Sequence, residues 1–190
     1  MTRTTQDDAR ENMQVAMFDL EATAGRSNRY IPDAYINIGN QQCPIELKTC
    51  DVARKQVSTA RNVTLAKIAE WEGVWWVFSS YRKTEDGVQL VDHYLGNRAM
   101  LQDWFDKQKN KILNGTKTYA GLQSWHRAKD LLAEHMPPEE LTRLSASFER
   151  RGVGLNDPKI SWKYVETNCI KLNGENFAAS LREEISKILN

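Results

Sequence analysis

At 190 residues, the chain has the length of one compact domain with a sizeable core, which argues against two independent catalytic domains. Its 26 Lys and Arg against 25 Asp and Glu leave a formal net charge of +1, so there is no overall polybasic signature and any nucleic-acid surface must be local. Three cysteines, Cys43, Cys50 and Cys169, are too few for a disulfide framework, and no stretch approaches a membrane span. The expectation is a cytoplasmic protein with no membrane partner.

Residues 7–21 begin with acids and carry Met13, Val15, Ala16, Met17 and Leu20, which predicts an amphipathic helix. Gly25, Ser27 and Asn28 then mark a loop. Residues 30–38 place Ile36 and Ile38 on one parity and Asp33, Tyr35 and Asn37 on the other, the pattern of a half-buried strand. GNQQ is a turn, and PIELK resumes the alternation, so a hairpin is the simplest connection. A two-residue turn at Gly39-Asn40 sets Asp33 opposite Glu46, and a four-residue loop sets it opposite Lys48. Both registers keep the three polar side chains on one face; a three-residue loop would separate them.

A helix is expected from Arg54 to about Glu70, and VWWVFSS and residues 88–95 read as strands. Helices follow over about 98–113 and 122–135, and another contains Leu141, Leu144 and Phe148 beyond Pro137-Pro138. GVGLNDP at 152–158 is a break, KISWKYVETNCIKL is strand-like, and Phe177, Leu181, Ile185 and Ile188 define a closing helix.

Asp33, Glu46 and Lys48 carry the chemistry. Two carboxylates on one face suit magnesium, with the Leu47 carbonyl as a further oxygen ligand and water completing the shell. Lys48 can donate to an attacking water or to a phosphate oxygen, stabilising the charge that grows during phosphodiester attack. Bound metal also makes water a better nucleophile.

Pro32-Asp33, twelve intervening residues and then Glu46-Leu47-Lys48 resemble the PD-(D/E)xK pattern of the restriction-endonuclease-like nuclease superfamily, over roughly residues 11–95. The resemblance implies an α/β fold with an αβββαβ core and a mixed central sheet, followed by helical and strand additions over about 96–190. It further implies Mg2+-dependent hydrolysis of double-stranded DNA at a specific sequence, as in type II restriction enzymes, often by a homodimer. Asp33 and Glu46 correspond to the metal-binding acids and Lys48 to the catalytic lysine. Glu11, ahead of Glu21 and Asp19, corresponds to an N-terminal helical carboxylate that such nucleases sometimes bring to the metal. Residues 22–29 are shorter and more polar than the strand the family has there, so either that strand is abbreviated or the first helix ends elsewhere.

Residues 26–67 hold seven bases and three acids. Within them Arg54, Lys55, Arg61 and Lys67 are candidate phosphate contacts, and Tyr81, Arg82 and Lys83 are groove candidates, Arg82 for its guanine-matching donor fork. The histidines and cysteines lack zinc spacing, and no phosphate or dinucleotide loop is present, so no nucleotide cofactor is expected. A structure-directed or homing nuclease, or a noncatalytic DNA-binding domain, are the alternatives to a restriction enzyme.

Overall fold

A computed structural model describes residues 6–23, 31–117, 129–130, 133–151 and 154–190. In chain order its elements are α1 (Gln6–Phe18), β1 (Glu21–Ala22), β2 (Ala34–Ile38), β3 (Gln41–Asp51), β4 (Gln56–Val57), α2 (Leu65–Glu70), β5 (Trp75–Thr84) and β6 (Gly87–Gly96). There follow α3 (Gln102–Lys117), α4 (Pro138–Arg151), β7 (Ile160–Ser161), α5 (Trp162–Asn168), β8 (Ile170–Lys171) and α6 (Phe177–Leu189). They divide into two units, one of residues 1–59, 72–102 and 159–190, the other of residues 60–71 and 103–158.

The first unit is α/β. Its sheet has the order β1-β2-β3-β5-β6-β8 and is mixed, since β3 and β5 run parallel while every other neighbouring pair is antiparallel. Alternation along the strands builds two buried faces. On one, Ala34, Ile36, Cys43, Ile45, Leu47, Trp75, Val77 and Leu95 pack with Phe18 at the end of α1, with Leu20 beyond it and with Leu181 and Ile185 of α6. Full burial of each large apolar side chain in this layer is worth about 1.5–3 kcal/mol. On the other, Trp76 stacks on Phe78 at 5.8 Å, and Tyr94 meets Trp162 of α5 edge to face at 5.5 Å. A Cβ on Gly96 would come 3.0 Å from Cys169 Sγ and 3.3 Å from the Phe78 ring, so close packing explains that glycine.

The β2–β3 register pairs Ala34 with Ile45 and Ile38 with Gln41, the two-residue alternative. Gly39 has φ +58° while Asn40 stays outside the left-handed region, the pattern of a type II′ turn with glycine in the first central position.

Two expectations are corrected. The helix predicted over 54–70 is confined to Leu65–Glu70, with Thr64 as its cap. Upstream, Asp51 arrests the chain in a turn: its carboxylate accepts from Ala53 N–H at 2.8 Å, its carbonyl accepts from Arg54 and Lys55 N–H, and Lys55 takes φ +53°. Val57 is then drawn into pairing with Ile160. The predicted strand over 159–172 is interrupted by α5, because Ser161 Oγ caps Tyr164 N–H at 3.2 Å and Trp162 and Val165, three apart, are both buried. The helix expected over 7–21 ends at Phe18, and Glu21–Ala22 form the short first strand. The helix expected over 122–135 lies largely outside the described residues. In the second unit Trp71 packs on Trp104 and Phe105 at 6.5 and 6.0 Å, and Val63 bridges Leu155.

His93 is 2 % exposed, wedged between Phe18 and Phe177 at ring distances of 5.3 and 4.5 Å, with Nδ1 2.9 Å from Ser79 Oγ. Burial, opposed by the Asp92 charge, depresses its pKa from 6.5 to about 4. Between those values the unfolded chain binds more protons than the folded one. The His93 contribution to stability is therefore complete above pH 6.5 and is lost as pH falls toward 4, by roughly 3 kcal/mol at most. Urea unfolding from pH 7 to pH 4 should show this loss, and His93→Gln should flatten that part of the profile.

Candidate metal centre

The site forms where one strand outlasts its neighbour. β2 pairs with β3 only over Gln41–Ile45, so from Glu46 onward the outer edge of β3 meets no strand among the described residues, while its inner edge continues against β5 as far as Asp51. Asp33, immediately before β2, takes over from the ladder, and its Oδ2 accepts the Leu47 N–H at 2.8 Å. Because Leu47 points into the helix-covered core, its neighbours Glu46 and Lys48 project from the opposite face.

Three oxygens converge on the Lys48 ammonium: Glu46 Oε1 at 2.7 Å, the Leu47 carbonyl at 3.0 Å and Asp33 Oδ2 at 3.5 Å. Glu46 is 7 % exposed, so its charge is held away from bulk water. Burial works to lower the Lys48 pKa, but the Glu46 and Asp33 charges, the Glu46 hydrogen bond and the Glu11 charge outweigh it, and the pKa rises above that of an ordinary lysine. Lys48 is therefore a fixed cation.

The same three oxygens are those assigned to magnesium from the sequence. Two carboxylates and a carbonyl are the hard, oxygen-only donors that magnesium prefers, so the residues fit such an ion. Among the described residues no three Asp, Glu, His or Cys side chains form a metal-holding group.

Glu11 is half-buried on α1 and its charge reaches Lys48. Glu21 lies in β1, where it accepts from Asn37 Nδ2, and Asp19 is engaged by Arg182 at 2.8 Å. Arg54 and Lys55 are exposed in the turn after β3. Arg61 and Lys67 belong to the second unit, where Lys67 approaches Glu70 at 3.3 Å and lies over the Trp71 ring. Tyr81 is buried beneath the Arg10 guanidinium, 4.5 Å from its ring centre, whereas Arg82 and Lys83 are exposed in the distal part of β5.

Sequence reasoning missed Gln14, Ser79 and His93, which join α1 to the sheet directly behind Lys48. The available signal was a glutamine four residues before Phe18, on the stripe of α1 that is buried. No protein-family model matches the chain, and no curated protein matches it significantly.

Removing one partner of a buried ion pair leaves the other charge poorly compensated. Lys48→Met should cost about 3 kcal/mol in urea unfolding without added metal, and Glu46→Gln in the same chain should recover most of that loss.

Proposed function

We propose that the protein is a magnesium-dependent endonuclease that hydrolyses phosphodiester bonds of double-stranded DNA at a specific sequence, in the manner of a type II restriction enzyme. The observation that carries this reading is the convergence of Asp33, Glu46 and the Leu47 carbonyl on the Lys48 ammonium, which gathers the acids and the lysine of the motif in one cluster. The order α1-β1-β2-β3-β4-α2-β5, with β3 and β5 as the parallel pair and the two-residue β4 paired with β7 in a separate sheet, is compatible with the αβββαβ core that the PD-(D/E)xK resemblance implies.

Asp33, Glu46 and the Leu47 carbonyl would hold the ion. Magnesium, when bound, supplies charge neutralisation at the phosphate and a more acidic water. The Lys48 ammonium donates to the phosphate oxygen on which negative charge accumulates, or orients the attacking water by donating to its oxygen. Glu46 and Asp33 hold the ammonium in place before substrate arrives. Glu11 adds negative charge on the α1 side and favours cation binding over an empty site.

Arg54, Lys55, Arg82 and Lys83 are exposed on the first unit and suit phosphate or groove contacts, which makes binding steeply salt-dependent. A homodimer places one such site on each strand of a palindromic duplex. No helix of the described residues is long and apolar enough to cross a membrane; a cytoplasmic location accompanies the reading.

Purified protein incubated with Mg2+ and plasmids of varied sequence should yield discrete fragments. Asp33→Ala, Glu46→Ala and Lys48→Ala should each lower the cleavage rate about 100-fold or more while the proteins stay folded. Preference for junctions or nicks would favour a structure-directed nuclease, binding without cleavage a noncatalytic domain. Undiminished cleavage by all three variants would overturn the assignment.

A further inference from the structure

Gln14 has no solvent exposure, and its side-chain amide donates toward three acceptors: the Lys48 carbonyl at 3.3 Å, the Val77 carbonyl at 3.2 Å and Ser79 Oγ at 2.9 Å. Two of these belong to the main chains of β3 and β5, the parallel pair on which the site is built. The amide has one favourable orientation, since turning it over would set Oε1 against two carbonyl oxygens. Ser79, also fully buried, accepts from Gln14 and hydrogen-bonds His93 Nδ1 at 2.9 Å, the ring tautomer setting which of the two donates.

Gln14 is a poor choice for packing. Its Oε1 is buried with no hydrogen-bond partner among the described residues, in a layer where leucine or methionine would fill the space without that defect. What an apolar residue would lose is the grip on the main chain at Lys48, the residue whose ammonium gathers Glu46, Asp33 and the Leu47 carbonyl. The outer edge of β3 has no ladder there among the described residues, so support comes from the inner edge and from α1.

We infer that Gln14 is a positioning residue of the site, holding the Lys48 main chain from behind so that the Lys48 ammonium and the Leu47 carbonyl keep their aim, with Ser79 and His93 fixing the orientation of its amide. Its catalytic readout rests on the nuclease reading; its structural readout does not.

Gln14→Leu and Ser79→Ala are compared with wild type for unfolding in urea, for amide hydrogen exchange and for Mg2+-dependent DNA cleavage. Positioning predicts exchange accelerated locally at Leu47, Lys48 and Thr49, and a cleavage rate constant lowered about 10–100-fold at unchanged KM for DNA in Gln14→Leu, with a smaller effect of the same kind in Ser79→Ala. A purely structural role predicts uniform exchange changes that track global stability, and that result overturns the inference, as does wild-type exchange in both variants. If Gln14→Leu fails to fold, Ser79→Ala decides by the same criteria. A wild type that cuts no DNA with Mg2+ overturns the nuclease reading, and the exchange pattern then still judges Gln14.

Discussion

The site depends on an inequality of strand length. β3 runs on past the start of β2, and the main-chain groups thereby released need partners that a strand no longer supplies. Asp33 takes the Leu47 N–H and Lys48 takes the Leu47 carbonyl, which draws two carboxylates and an ammonium into one cluster. The charges thus serve the backbone first, and a cluster of opposite charges at low exposure is the result. Elsewhere in the sheet ladder hydrogen bonds satisfy the backbone, and the side chains are free to be apolar.

A buried charge cluster of this kind needs rigid walls, because an ion pair in a low-dielectric setting is favourable only while its geometry holds. The two packed faces of the sheet provide them. Leu47 and Val77 are anchored under α1 and α6, while Trp76 and Phe78 stack beside Glu46 and Lys48, their register partners on β5. The neutral chain of Gln14, Ser79 and His93 crosses the apolar layer at the level of Lys48 and ties helix to sheet with directional bonds. Each buried polar side chain of that chain finds a hydrogen-bond partner, even though one amide oxygen does not.

The site was legible in the sequence because it is local: the parity of Asp33, Glu46 and Lys48 follows from alternation on two strands joined by Gly39-Asn40, and the glycine permits the short turn. The register itself was not legible, since two- and four-residue turns satisfy the same parity; the chain takes the two-residue turn, with Gly39 at φ +58°. The helix misread from Arg54 failed because side chain to backbone bonding by Asp51 and the distant partner Ile160 overrode a plausible helical stripe. α5 was hidden because Trp162, Tyr164 and Val165 have high strand propensity, and only the Ser161 cap and burial at a spacing of three reveal the helix. Gln14 was illegible for another reason: its acceptors lie on strands 34 and 63 residues away.

One consequence of the overhanging β3 edge reaches beyond chemistry. A bare strand edge is a template for joining another molecule's strand, and proteins commonly guard such edges with inward-pointing charge. Asp33 and Lys48 occupy the Leu47 donor and acceptor and so act as sentries against intermolecular sheet growth. The same pair that anchors the Leu47 main chain thus blocks strand addition at this edge, so losing both would expose the protein to aggregation.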